Sequence, residues 1–310
     1  MARPLSGLAR HEARWAYVFL LPWLIGLVVF QAGPMVASFV LSLTDYDLIS
    51  RPKFAGLGNY AAMLEDPKVG RAIGNTAFYT VLHLPLALVI SLLLALMLNR
   101  VTGRAAGFFR TVFYLPSMTP YVAVGVLFLF LLNGQAGLVN QFLGLFGVDG
   151  PQWTTDPAWV KPGIVLMSLW NLGSTTIILF AALRNVPHDL YEAAMIDGAG
   201  PWQRFRSVTL PMISSALFFV VIINTIAALQ MFDQVYTMFF GNQTAQHSYG
   251  DSALFYVVYL FQQGFQFLHM GYASALAWLL FAIIGIITIV QVKVGNRFVY
   301  YEAEPPGGTR

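Results

Sequence analysis

Between two long apolar stretches the chain carries a charged, patterned interruption. Tyr191 to Gly200 reads YEAAMIDGAG and continues through PWQRFRSVTLP to Pro211. These residue types suit docking, not catalysis. Ala193 and Ala194 have little bulk, so a short helix carrying them can enter a groove closely, and Glu192 can engage a basic group there. Gly198 and Gly200 permit a sharp turn after that helix. Thr209, Leu210 and Pro211 lead back into the next apolar stretch, where a proline in the first turn costs no helical hydrogen bond.

Other chemistry is scarce. No Gly-Lys pair occurs, so the phosphate loop GxxxxGK[ST] cannot be built and this chain holds no nucleotide site of that type. The HEAR string at His11 lacks the second histidine of a zinc protease helix, and the five histidines are scattered without ligand spacing. With no cysteine there is neither a disulfide framework nor a thiolate metal site.

The elements that position the patterned segment follow from composition. A chain that is 57% hydrophobic and 10% charged is too apolar to hide its side chains in a water-soluble core of this length. Several continuous runs approach or exceed the ~20 apolar residues that cross a hydrocarbon layer as a helix, where a barrel would show short alternating segments. The expected fold is all-α, a polytopic membrane protein with six transmembrane helices: Trp15 to Leu43, Thr76 to Leu98, Val112 to Leu132, Val160 to Ala182, Met212 to Phe232 and Met270 to Val292. This gives a cytoplasmic tail over 1–14, a membrane domain over 15–292 with a cytoplasmic loop over 183–211, and a second cytoplasmic tail over 293–310.

Basic residues orient the spans, because Lys and Arg near span ends stay cytoplasmic. With the amino terminus inside, the inner segments hold twelve of the 17 basic residues: Arg3, Arg10, Arg14, Arg100, Arg104, Arg110, Arg184, Arg204, Arg206, Lys293, Arg297 and Arg310. Both termini are therefore expected in the cytoplasm, and so is the Tyr191 to Pro211 loop. The net charge of +3 reflects this retention and does not indicate nucleic acid as a partner.

Outside the spans, FAGLGNYAAML predicts Gly turns followed by a short interfacial helix. Gly103 and Gly107 read as loop glycines, since they sit in a polar turn. The stretch LFYVVYLFQQGFQF predicts a re-entrant or surface helix, and Asn242 to Gly250 a segment with its own shape. Within the spans, Asn171 precedes Arg184 by 13 residues and Asn224 follows Pro211 by 13, which puts both about 20 Å above the inner boundary. Polar groups at that depth face a partner or a wet cavity, so Asn171 and Asn224 are candidates to bind solute hydroxyls, with interhelical hydrogen bonding as the alternative. Ser174 is a third candidate, expected with Thr175 on the Asn171 face at offsets three and four. Trp170 could cover the apolar face of a sugar or simply pack. Gln230 and Asp233 are expected nearer the outer surface, Asp233 as a hydrated carboxylate.

Glu192, Ala193, Ala194, Asp197, Gly198, Thr209, Leu210 and Pro211 match the coupling loop of binding-protein-dependent ABC permeases, which this segment resembles. DLYEAA and DGAGPWQRF resemble the carbohydrate branch, the maltose and glycerol-phosphate type of inner-membrane component. The likeness extends from PMVASFVLSLTDY through FRTVFYLP to GYASALAW. It departs where the family's Gly-Gly-Pro turn after the fifth span is missing.

The resemblance implies an ABC type I importer permease fold in the bacterial inner membrane. It also implies a second homologous permease, two ATPase subunits that bind ATP and Mg, an extracytoplasmic solute-binding protein and a carbohydrate substrate. The segment would couple ATPase closure to alternating access, and the chain would have no cofactor and no catalytic residue of its own. Two alternatives stay open. One is a permease for a non-sugar solute such as glycerol phosphate or another polyol derivative. The other is an ion-coupled transporter or channel, for which six spans are few.

Overall fold

The computed structural model describes residues 7–241, 250–295 and 297. Residues 242–249, Arg3, Arg310 and most of the expected carboxy-terminal tail lie outside them. The helices are α1 Gly7–Leu27, α2 Gly33–Ser42, α3 Gly58–Glu65, α4 Pro67–Arg100, α5 Gly103–Tyr114, α6 Tyr121–Leu131, α7 Leu138–Gly144, α8 Pro157–Ser168, α9 Gly173–Arg184, α10 His188–Ile196, α11 Pro201–Arg204, α12 Leu210–Met212, α13 Ser214–Leu229, α14 Asp233–Phe239, α15 Tyr256–Phe261 and α16 Met270–Gly295. Among the described residues the only sheet is an antiparallel ribbon of β1 Thr44–Asp45 and β2 Lys53–Phe54. The expected all-α membrane architecture is the one observed.

Four helical segments are long and apolar enough to span a bilayer: Arg14–Ser42, Pro67–Arg100, Ser214–Phe239 and Met270–Gly295. Two bent pairs bring the number to six when each pair is one span. The third span is therefore not the single rod expected over Val112 to Leu132. Helix α5 and the 3-10 turn after it bend by 94° against α6, at a break bearing Pro116 and Pro120. Proline supplies no amide donor at either position, and Ser117 Oγ bonds back to the Tyr114 carbonyl at 2.6 Å within the turn. The fourth span bends by 50° between Asn171 and Gly173. Gly107 lies inside α5 and is no loop glycine, whereas Gly103 opens that helix at φ 66°.

The described residues form two compact units. The first comprises 7–65 and 260–281. In it, α1, a π turn over Val28–Ala32 and α2 run as one helical segment, with the Gly33 N–H reaching back to the Val28 carbonyl just ahead of Pro34. Asn59 Nδ2 donates to the Ser42 and Thr44 carbonyls at 2.9 and 2.8 Å, closing α3 onto the end of α2. Gly271 approaches so closely that a Cβ there would sit 2.0 Å from the Thr44 carbonyl oxygen.

The second unit comprises the described residues within 66–259 together with 282–295 and 297. Helix α4 is its axis. Asp66 caps it by accepting from the Lys68 N–H at 2.9 Å, and Pro67 fills the first position. Helices α9 and α13 pack on α4 around Ala95, Leu98, Leu179, Leu183, Ile213 and Val220. At the other end of α4, Asn75 Nδ2 donates to the Asp251 and Leu254 carbonyls, and the Tyr256 N–H donates to Thr76 Oγ1 at 2.9 Å. Arg71 pairs with Asp251, and the Tyr259 hydroxyl donates to Asp66. These contacts bury Phe255, Tyr256, Val258 and Tyr259. Of the two placements expected for this aromatic stretch, re-entrant or surface, the burial of Tyr256, Val258 and Tyr259 excludes the surface one.

Candidate functional site

The patterned segment folds as helix α10, a tight turn, then α11. Pro187 precedes α10 and Asp189 lies in its first turn, where a carboxylate complements the helix dipole. The helix ends in a Schellman motif. The Ala199 N–H bonds the Ala194 carbonyl at 2.8 Å and the Gly198 N–H bonds the Met195 carbonyl at 3.0 Å, with Gly198 left-handed at φ 81°. The left-handed φ is what calls for glycine at 198, because nothing crowds its Cβ position. Gly200 has φ −70° and needs no such freedom, so the turn depends on Gly198 alone.

Glu192, Ala193 and Asp197 are exposed, and Ala194 is half-buried. Glu192 Oε1 pairs with His188 Nδ1 at 3.1 Å on its own helix. The outer face of α10 is apolar at its end: Ile196 is 87% exposed and Met195 48%. The inner face is tied down by the Tyr191 hydroxyl, 2.9 Å from Thr209 Oγ1, and Thr209 is only 5% exposed.

Pro211 does not open the fifth span. It lies in a helical run over 201–212, and a π turn over Phe205–Thr209 precedes it, with the Leu210 N–H bonding the Phe205 carbonyl. The wider turn accommodates the missing amide donor of the proline.

A cavity of about 300 Å³ lies within the second unit, at the low end for a small-molecule site. Tyr79, His83, Asn171, Asn224, Gln230 and Asp233 contribute to its wall. Asn171 and Asn224 are thus brought together. Asn224 also makes the interhelical bond of the alternative reading, donating from Nδ2 to Thr175 Oγ1 at 3.2 Å, and it bonds back along its own helix to the Val220 carbonyl at 2.9 Å.

Ser174 does not share the Asn171 face. Asn171 sits in a 3-10 turn over Leu169–Asn171, α9 begins only at Gly173, and Ser174 is exposed away from the cavity wall. The break is fixed by packing: a Cβ on Gly173 would stand 2.5 Å from the Phe113 carbonyl oxygen. Trp170 meets Phe128 edge-on at 6.1 Å and is not part of the wall.

Three further residues line the wall. Gln230 and Asp233 line the cavity because α13 stops at Leu229 and α14 restarts at Asp233. His83 was a lone histidine in an apolar run; its ring stacks on Tyr79 at 5.0 Å and its Nδ1 is buried without a hydrogen-bond partner. The signal for it was present: Thr76, Thr80 and His83 recur at helical spacing on the buried face of α4.

Residues 87–301 match the family model described as the binding-protein-dependent transport system inner membrane component. The chain belongs to this family. It is 36% identical over 298 residues to a probable ABC transporter permease protein YesP of Bacillus subtilis, covering 95% of this chain and 94% of that one. It is 33% identical to the lactose transport system permease protein LacF of Rhizobium radiobacter, over 92% and 95% of the two chains. Among solved structures, a bacterial ABC transporter that imports the acidic polysaccharide alginate matches with a TM-score of 0.80 and 25% identity, over 94% of this chain and 98% of that one. The permease fold of such importers is therefore the fold of this chain, an inner-membrane component with several apolar helices.

Proposed function

We propose that this permease forms half of a carbohydrate pathway and couples it to ATP hydrolysis by partner subunits. The observation that carries the reading is the placement of Asn171 and Asn224 on one cavity wall, on the two spans that the 183–211 loop joins. Neutral amides beside Tyr79, Tyr121 and Ser168 suit hydroxyl-rich solutes, and none of the described wall residues is Lys or Arg. That lining favours a sugar over glycerol phosphate. The lactose permease named above and the alginate importer, itself solved with a pentasaccharide-bound periplasmic protein, support the same substrate class.

The partners are a second permease, two ATPase subunits holding ATP and Mg, and an extracytoplasmic solute-binding protein. Both termini and α10 face the cytoplasm. Ala193 and Ile196 on the outer face of α10 enter a groove on an ATPase subunit, with Glu192 and Asp197 beside basic groups there. Closure of the ATPases moves α10, the Tyr191 to Thr209 bond carries the motion to the foot of the fifth span, and the cavity opens outward.

Reconstitution tests this. Proteoliposomes containing the assembled transporter should take up a radiolabelled oligosaccharide from the panel bound by its solute-binding protein, only with internal ATP. Uptake by this chain without ATPase subunits would contradict the proposal and favour a channel or ion-coupled carrier.

A further inference from the structure

A second cavity, of about 460 Å³, lies at the end of α4 beside the 201–209 segment. Its wall divides into two chemistries. Leu93 and Leu96 give an apolar side on a membrane-spanning helix, and Leu93 is 55% exposed. Arg100, the last residue of that span, and Arg204 give a cationic side, with no described acidic residue in the wall.

Arg204 Nε is enclosed and has no hydrogen-bond partner, an unfavourable position for a guanidinium unless an anion lies against the same group. Trp202, also in the wall, is 71% exposed and stacks on Phe205, and such amphipathic rings are the type enriched at membrane interfaces.

We propose that this cavity binds an anionic phospholipid, its phosphodiester between Arg100 and Arg204 and an acyl chain along Leu93 and Leu96. Basic pockets at span ends recognise such headgroups, whereas a soluble anion would have no use for the apolar side. The position gives the lipid a role. Tyr191 and Thr209, the pair that fastens α10, belong to the same wall. An occupied site stiffens the coupling segment at its root, so anionic lipid raises the efficiency of coupling.

The full chain, purified in non-ionic detergent, is mixed with dioleoylphosphatidylglycerol, dioleoylphosphatidylcholine or glycerol 3-phosphate, and retained ligand is counted by native mass spectrometry. Phosphatidylglycerol should be retained roughly tenfold over phosphatidylcholine, and Arg100→Gln and Arg204→Gln should each weaken it about fivefold. Arg206→Gln, at an exposed arginine outside the wall, should leave it unchanged. If Arg204→Gln does not fold, Arg100→Gln at an exposed helix end decides alone.

Equal retention of the two lipids, or retention indifferent to both arginines, overturns the proposal. Displacement of the lipid by millimolar glycerol 3-phosphate makes this a small-anion site, and displacement by an ATPase subunit makes it a protein contact. Either result refutes the lipid assignment. None of these readouts requires solute transport, so failure here is separable from failure of the carbohydrate reading.

Discussion

The Tyr191 hydroxyl and Thr209 Oγ1 lie 2.9 Å apart across 18 residues of sequence, and they fasten the exposed helix α10 to a buried point just ahead of the fifth span. This bond and the backbone that joins the two elements, which includes the π turn, link displacement of that helix to the span.

Tyr191→Phe or Thr209→Val should therefore loosen coupling more than stability. Each leaves one polar partner unmatched, at a cost of about 1–3 kcal/mol for the buried hydroxyl. The expected phenotype is ATP hydrolysis that continues while solute uptake falls severalfold. A double-mutant cycle on uptake should show the two substitutions to be non-additive.

Gly198→Val should insert normally and uncouple hydrolysis from transport, because a residue with a side chain is strained at φ 81° by about 1–2 kcal/mol, and a β-branched one by more. Gly200→Ala should be silent, since its φ is ordinary and its surroundings open. Uptake assays on the two variants distinguish the positions, and equal loss at both would contradict the Schellman turn.

Gly173→Ala should destabilise the protein by about 1–3 kcal/mol, as the new methyl meets backbone atoms of Phe113 and Tyr114 that cannot yield cheaply. Gly74→Ala, on the open side of α4, should be neutral or slightly stabilising. Thermal unfolding of the detergent-solubilised chain measures both, with the Gly173 variant several degrees lower.

Asn171→Leu and Asn224→Leu should each raise the KM for uptake about tenfold while insertion is unaffected, a loss typical of one or two hydrogen bonds to a bound solute. Ser174→Ala, exposed outside the wall, should change it less than twofold. Concentration dependence of uptake in proteoliposomes checks the contrast.

The long rods α4, α13 and α16 were legible because uninterrupted apolar sequence leaves no cheaper arrangement for them in a bilayer. The broken spans were not. Pro116 and Pro120 announce an interruption but not its 94° angle, and the bend at Leu172 rests on Gly173 meeting the Phe113 carbonyl, a contact between residues sixty positions apart.

Depth counting brought Asn171 and Asn224 to one wall, because both counts begin at the same membrane boundary. It did not bring out that Gln230 and Asp233 line the same cavity, which they do because α13 stops at Leu229. It also assigned Ser174 to a helical face that the 3-10 turn removes.

The central claim is that α10 docks on an ATPase subunit. The chain has no cysteine, so Ile196→Cys provides a single thiol on the outer face of α10. Paired with single cysteines around the groove of the ATPase subunit in the assembled transporter, it should form an oxidative cross-link in membranes. Failure of Ile196→Cys to link to any ATPase position, together with its labelling by an impermeant thiol reagent from outside the cell, would contradict the account.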